Sequence, residues 1–290
     1  LHHDFPVQPV ISFLQQQQKK LYITNLNWKE EELGKGWSWD DYNDEYMVER
    51  NALPVYGNTI RWVQEKLRSN SVDTEESFSF YSDPEVEWKV GFEADSPEKK
   101  FRVRRDRTDN IFLITEGAEN FKEQIVPFAV KGIRSALELL ADTIGKKILV
   151  RDDFVVLDPV PETVWSQPAD SVLRPMMYNS DNFFAEQLLL MVSGERIKVM
   201  DDEMLIDTLL SADLSDLPQQ PVWVDGSGLS RYNLFTPESF VSILDKMRQE
   251  FGMERLKHIF PAGDSGTLKG YYRQDSKYIY AKTGSMSGVI

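Results

Sequence analysis

The chain has 290 residues, enough for about two domains and a sizeable hydrophobic core. Its 33 basic and 47 acidic residues give a formal net charge of -14, which argues against a nucleic-acid partner because phosphate binding needs a basic face. The chain has no cysteine, which excludes disulfides, thiol catalysis and cysteine-based zinc sites, and no apolar run approaches the length of a membrane helix.

The first half of the chain is predicted to be rich in strands. Residues 1–20 are rich in glutamine and are interpreted as a linker or a helix end, and LYI at 21–23 predicts a strand. LPVYGNTIRWVQ at 53–64 is another strand candidate, and residues 74–116 alternate with period two, which predicts antiparallel strands. Residues 119–146 are predicted to be helical, with Pro127 in the first turn and an apolar stripe ending at Gly145.

The second half mixes helices and strands. SDNFFAEQLLLM at 180–191 has capping residues before a helix former, and Thr236 is a predicted cap for a helix with apolar residues three and four apart. PVWV at 221–224 and KYIYAKTG at 277–284 predict strands. The mixture of elements predicts an α/β (α+β) protein.

Histidine chemistry has little support in this sequence. The chain has three histidines, two of them at its start and one, His258, at the end of a helical pattern. A histidine metal cage is therefore not available, and His258 is interpreted as a helix-end residue. We expect no metal and no organic cofactor.

The tripeptide Lys282-Thr283-Gly284 follows a predicted strand. A lysine amine is a point charge suited to a carboxylate, and a threonine hydroxyl adds a donor. Gly284 has no Cβ, so an extended peptide can lie close against the strand. The alternative is a strand end that runs into a turn.

Two further stretches have the side chains for chemistry. Ser180-Asp181-Asn182 is either a simple helix cap or a site where Ser180 passes a proton and Asn182 presents its amide to a carbonyl. DGSGLSRYN at 225–233 is either a structural turn or a hydroxyl-rich loop whose Arg231 binds a carboxylate.

S-D-N followed by K-T-G, with DGSGLSRYN between them and GWSWDD at 36–41 before them, closely resembles the penicillin-binding protein 4 type of D-alanyl-D-alanine carboxypeptidase/endopeptidase, the S13 peptidase family. The resemblance runs from about residue 21 to the last residue. It implies a serine β-lactamase/transpeptidase-like catalytic domain at 161–290, preceded by an inserted α/β domain at 21–160 with a β-rich subdomain at 74–116 and by a linker or upstream segment at 1–20.

The same resemblance implies the catalytic roles. Ser180 would relay a proton toward the leaving amine, and Asn182 would hold the substrate amide. Lys282 would bind the terminal carboxylate of the substrate, and the backbone N–H of Ser285 would form half of an oxyanion hole.

The resemblance also implies the substrate contacts. Thr283 and Gly284 would bind the end of the peptide, and Arg231 would line the same cleft. Asp41 would meet the amine of a diamino acid in the stem peptide; the alternative is a structural, tryptophan-rich turn. The implied partners are peptidoglycan peptides and β-lactams, and the implied location is the periplasm or cell envelope.

The family nucleophile is the serine of an S-x-x-K motif, whose lysine acts as general base one helical turn later. The sequence has one such match, Ser96 to Lys99, between two strand candidates and among charged neighbours. We interpret Ser96 as part of a turn. The expectation is that the nucleophile lies outside this sequence and that the chain is an internal fragment without a signal peptide.

Two other functions stay open at this point. A class A β-lactamase shares S-D-N and K-T-G, although the large insertion-like region before S-D-N argues against it. A non-catalytic relative that binds wall peptide without cleaving it is the second alternative, because the deciding serine is not in the sequence.

Overall fold

The computed structural model describes residue 2 and residues 5–67, 77–93, 99–151 and 163–285. The chain divides into two compact units. The first unit comprises Leu1–Asn25 and Ser38–Val164, and the second comprises Leu26–Trp37 and Trp165–Ile290. None of the described helices combines the length and the apolar character needed to cross a membrane.

In its described residues the first unit contains three small sheets. Strand β2 pairs antiparallel with β3 and β7, β6 pairs with β4 and β5, and β1 pairs in parallel with β8. The elements are α1 Pro9–Gln16, β1 Leu21–Ile23, β2 Thr59–Lys66, β3 Phe78–Asp83, β4 Lys89–Glu93, β5 Arg102–Arg105, β6 Ile111–Thr115, β7 Phe121–Pro127, α2 Arg134–Ile144 and β8 Ile148–Val150.

The core of the first unit lies among these strands and α2. Phe112 and Phe128 are fully buried, and the rings of Trp62 and Phe112 lie 4.8 Å apart between centroids. Removing one such side chain from water stabilises the fold by about 1.5–3 kcal/mol. Alternate residues of β5 and β6 are buried, as expected for strands with one covered face.

The structure corrects two predictions for this unit. Residues 121–127 form strand β7 and not the start of a helix, and Pro127 is the last residue in its ladder with β2. A tertiary pairing thus overrides the local helical pattern, and α2 begins only at Arg134. The helix ends before Gly145, whose φ of 66° is the predicted left-handed stop. The β4–β6 pair is parallel, whereas we predicted antiparallel strands.

The second unit is mainly helical in its described residues. Asp181 caps α4 by accepting a hydrogen bond from the Phe184 amide at 3.0 Å. Thr236 caps α6 as predicted, because its Oγ1 accepts a hydrogen bond from the Ser239 amide at 3.2 Å. The helices are α3 Ala169–Asn179, α4 Asn182–Ile197, α5 Asp202–Ser211, α6 Pro237–Phe251 and α7 Met253–Ile259.

The two strands predicted for this unit are reduced to isolated bridges. Val222 bridges Leu234, and Ala262 bridges Tyr280. A strand is defined by the ladder it makes with a neighbour, and each of these segments has one bridged residue within the described ranges. The Tyr280 bridge still gives the residues before Lys282 an extended path.

Candidate active site

Ser180 and Lys282 lie 102 residues apart in sequence and meet in the second unit, where the Ser180 Oγ is 2.7 Å from the Lys282 Nζ. The Ser180 backbone joins α3 to α4 in the left-handed region, with φ 56° and ψ 50°. This conformation is uncommon for a residue with a side chain, and such outliers concentrate at functional sites. The predicted convergence of the two motifs is therefore observed.

The Lys282 amine has a lowered pKa. The Lys282 side chain is exposed overall, and partial desolvation of its amine lowers its pKa below the usual value for lysine, because desolvation penalises the charged ammonium. The amine also donates a hydrogen bond to the Thr283 carbonyl. Lys282 can therefore exchange protons with Ser180 more readily than a lysine in free solution.

Asn182 is the first residue of α4, two positions after Ser180, and it is half-buried. The capping carboxylate of Asp181 lies between them in sequence, so part of the S-D-N motif is a helix cap, as its alternative interpretation held. The two interpretations are compatible, because the cap fixes where the first turn begins. The start of α4 also has the partial positive charge of a helix N-terminus.

The K-T-G segment has an open side. Among the described residues, no atom lies within 4 Å of a Cβ added at Gly284. Thr283 is half-buried, and Gly284 and Ser285 are exposed. This opening among the described residues is compatible with the predicted approach of an extended peptide to the backbone at Gly284.

The carboxylate of Asp225, the first residue of the loop at 225–233, fixes the conformation of that loop. Asp225 is 2% exposed and accepts hydrogen bonds from backbone and side-chain groups of the loop. Arg231 is exposed, and within the described ranges its guanidinium makes no hydrogen bond or ion pair. The structure describes no contact between Arg231 and the Ser180–Lys282 pair.

Asp41 belongs to the first unit and ends a short 3₁₀ helix, Trp39–Asp41. Burial raises the pKa of the nearby Tyr46 hydroxyl to about 12, helped by its hydrogen bond to Asp41. The Arg107 guanidinium lies 4.3 Å from the centre of the Trp39 ring. These contacts fit the alternative of a structural, tryptophan-rich turn and leave the predicted substrate contact of Asp41 as a prediction.

Glu30, Asp201 and Asp202 form a carboxylate group in the second unit with ligand atoms within 4.8 Å of one another. Asp201 caps α5 by accepting from the Met204 amide at 2.8 Å, and Glu30 accepts from the Asp202 amide at 2.6 Å. Binding to backbone amides accounts for this cluster. The Ser96 motif lies outside the described residues.

Two site-supporting residues had no assigned role in the sequence interpretation. Glu186 is 2% exposed and accepts from the Ser227 amide at 2.6 Å. Trp37, in the GWSWDD motif, donates its indole N–H to Asp225 at 2.9 Å. A glutamate among the apolar residues of a predicted helix was the available signal for Glu186, because a charge on a buried face needs a partner.

Comparison with known proteins places these features in a family. Residues 15–290 match the model of the D-Ala-D-Ala carboxypeptidase 3 (S13) family. D-alanyl-D-alanine carboxypeptidase DacB of Haemophilus influenzae is 35% identical over 135 residues, which are 43% of this chain and 28% of that protein. Penicillin-sensitive carboxypeptidase A of Dictyostelium discoideum is 38% identical over 71 residues, which are 23% of this chain and 14% of that protein.

Solved structures agree on the fold. The crystal structure of penicillin binding protein 4 (dacB) from Haemophilus influenzae has a TM-score of 0.64 at 19% identity, covering 93% of this chain and 63% of that one. The same protein complexed with a novel β-lactam has a TM-score of 0.51 at 20% identity, covering 79% of this chain and 57% of that one. The mixed α/β fold predicted from the sequence is confirmed. The chain spans less than two thirds of the length of these relatives. Because the family model matches residues 15–290, the chain belongs to the D-Ala-D-Ala carboxypeptidase 3 (S13) family.

Proposed function

We propose that the chain forms part of a serine-type D-Ala-D-Ala carboxypeptidase/endopeptidase that acts on peptidoglycan stem peptides and cross-links through an acyl-enzyme. The observation that supports this most is the 2.7 Å contact between Ser180 and Lys282 in a chain of the S13 family. A lysine with a lowered pKa beside a hydroxyl is an arrangement that moves protons.

The proposal includes the catalytic roles that the family resemblance implies. Ser180 relays a proton from Lys282 toward the leaving amine, over a distance already suited to a hydrogen bond. Asn182, in the adjacent first turn of α4, holds the substrate amide. The backbone N–H of Ser285 stabilises the developing oxyanion, and losing one such donor typically costs about 100- to 1000-fold in rate.

The substrate contacts extend the same cleft. Lys282 and Thr283 bind the terminal carboxylate, and the peptide lies along the open side of Gly284. Arg231, whose guanidinium has no partner among the described residues, lines the cleft. Separately, we propose that Asp41, a residue of the first unit, binds the amine of a diamino acid in the stem peptide.

The nucleophile is the serine of an S-x-x-K motif in the complete gene product. The match at Ser96 lies between strands β4 and β5 in sequence, and we do not propose it as the nucleophile. We propose a catalytic domain at about 161–290 and an inserted domain at about 21–160, with 74–116 as its β-rich subdomain. Within the second of these ranges, residues 26–37 belong to the same compact unit as residues 165–290. The protein acts in the periplasm or cell envelope, where its peptidoglycan substrate is found.

Intact-mass measurement after incubation with benzylpenicillin tests this proposal. The complete gene product should gain one covalent penicillin and release D-alanine from a peptide ending in D-Ala-D-Ala. The present chain should gain none, because the proposal does not assign the nucleophile to Ser96. An adduct on this chain would show that Ser96 or another serine is the nucleophile.

The same assay separates the alternatives. A β-lactamase would hydrolyse benzylpenicillin in many turnovers and leave the peptide intact. A binding-only relative would neither gain an adduct nor release D-alanine. Either result would contradict the proposed function.

A further inference from the structure

Asp225 is a buried carboxylate with four hydrogen-bond donors. Its Oδ1 accepts from the Gly228 amide at 2.8 Å and the Asn233 side-chain amide at 2.7 Å. Its Oδ2 accepts from the Ser230 amide at 2.6 Å and the Trp37 indole at 2.9 Å. These four donors occupy the lone-pair positions of a carboxylate, and no lysine or arginine of the described chain pairs with it. Both carboxylate oxygens of Asp225 therefore accept hydrogen bonds that fix the conformation of the loop or tie it to Trp37.

A second buried carboxylate ties the same loop to α4. The Glu186 Oε1 accepts from the Ser227 amide at 2.6 Å. Next to this bond, Gly226 lies so close to α4 that an added Cβ would be 2.6 Å from the Ala185 carbonyl oxygen. The loop and the helix are therefore in direct backbone contact, secured by a charge-assisted hydrogen bond.

The point of attachment lies at the start of the candidate site. Glu186 follows Asn182 by four positions on α4, so the two residues share one helix face, a single turn apart. Ser180 immediately precedes the capping residue of the same helix. Any shift of the first turns of α4 would therefore move the S-D-N motif, which lies at the start of that helix.

We propose that Asp225 and Glu186 are positioning residues that hold the loop at 226–230 against α4 and thereby keep Ser180 and Asn182 in reacting geometry. The inference rests on the function proposed above. Asp225 shapes the loop, and Glu186 links the shaped loop to the catalytic helix. Displacing catalytic groups by about 1 Å can lower a rate by about 100-fold, so loss of either carboxylate should be seen in turnover.

Three substitutions separate this role from general stability. In Asp225→Asn the amide oxygen can accept from only two donors, and the new NH₂ faces two N–H groups. Glu186→Met keeps the length of the side chain and removes the acceptor of the Ser227 amide. Glu186→Gln keeps an oxygen at that position and serves as the matched conservative variant.

The experiment uses the complete gene product and measures acylation by benzylpenicillin and cleavage of a D-Ala-D-Ala peptide. For Asp225→Asn and Glu186→Met we expect kcat to fall about 10- to 100-fold, with KM within about threefold of wild type. Glu186→Gln should stay within about threefold in both constants. Glu49→Gln is the control, because Glu49 is a buried carboxylate of the first unit that binds Arg105; it should lower Tm and leave the acylation rate per folded molecule unchanged.

A second measurement does not need activity. In the present chain, hydrogen exchange of peptides from the start of α4 should be faster in Glu186→Met than in Glu186→Gln and wild type, while the strands of the first unit are unchanged. If the wild-type protein is not acylated, the proposed function fails. The exchange measurement alone then tests whether Glu186 holds the loop against α4. Normal kcat in folded Glu186→Met, or unchanged exchange at α4, would overturn the positioning role. If Asp225→Asn does not fold, the comparison of Glu186→Met with Glu186→Gln still tests the positioning role.

Discussion

Lys282 is the residue whose protonation state the proposed mechanism uses. Partial desolvation of its amine lowers its pKa, and the amine contacts the Ser180 hydroxyl at 2.7 Å. The proposed mechanism needs the protonated amine, both to attract the substrate carboxylate and to supply the relay through Ser180. A lower pKa eases proton transfer but narrows the pH range in which the ammonium persists.

The first prediction concerns this pH dependence. With the complete gene product, kcat/KM for a D-Ala-D-Ala peptide should decline as the pH rises through the lowered pKa of Lys282, before the ordinary lysine value is reached. In Lys282→Arg the guanidinium stays protonated, so this alkaline decline should disappear from whatever activity is left. Activity that instead rises with pH over the same range would show that Lys282 works as a neutral base.

The same shift has a consequence for stability. Because the folded pKa of Lys282 is depressed, the unfolded chain binds more protons between that value and the ordinary lysine pKa. The free energy of unfolding should therefore gain a positive contribution as the pH rises through this window, and the contribution should be absent in Lys282→Met. Denaturant titrations of both proteins at several alkaline pH values measure the difference.

Thr283 gives a second prediction about a single residue. Thr283→Val keeps the shape and removes the hydroxyl, and a hydrogen bond to a charged group contributes about 1.5–3 kcal/mol. For substrates with a free carboxyl terminus, kcat/KM should fall about 10- to 150-fold in the complete gene product. Tm should change little. A lower Tm with normal turnover would instead assign Thr283 to a structural turn.

Spaced motifs made much of the site predictable from the sequence. Ser180 and Lys282 were expected to converge because a shared substrate requires it, and the structure brings them together. The roles of Asp225 and Glu186 were not predicted, because they depend on which backbone amides approach each carboxylate. That information exists only after the loop and α4 have packed.

Among the secondary-structure elements, errors arose where pairing partners decide the conformation. The caps at Asp181 and Thr236 were predicted, because capping is a local bond within four residues. Strand β7 was missed, because its seven residues are held by β2, which lies far away in sequence. Short-range patterns therefore located helix ends better than strands in this chain.

The contact between the loop and α4 gives a prediction for a pair of elements. In Gly226→Ala the new Cβ would meet the Ala185 carbonyl oxygen at 2.6 Å, so the loop must move away from the helix. Both carboxylates remain, and the expected loss of kcat in the complete gene product is about 10-fold. Gly194→Ala is a matched control within α4, because its added Cβ would lie 3.4 Å from a flexible methionine atom. If Gly226→Ala and Gly194→Ala were acylated at the same rate, a displacement of the loop from α4 would have no effect on catalysis.

At the scale of the whole molecule, the chain consists of two units that each have a described hydrophobic interior. Phe112 is fully buried in the first unit, and Leu190 of α4 is 1% exposed in the second. The chain passes between the units three times, since residues 26–37 belong to the second unit although they interrupt the first. Crossing segments do not by themselves fuse two cores, because cooperative unfolding depends on shared buried contacts.

We therefore predict that damage to one interior stays within its unit. Phe112→Ala should cost about 3–5 kcal/mol and speed hydrogen exchange in β2, β6 and β7, while peptides from α4 keep their protection. Leu190→Ala should cost about 2–5 kcal/mol and have the reverse pattern. Exchange measured by mass spectrometry on both variants gives the comparison within one molecule. Loss of protection in both units from either substitution would mean that the chain unfolds as one cooperative body, and α4 would then depend on the core of the first unit for its stability.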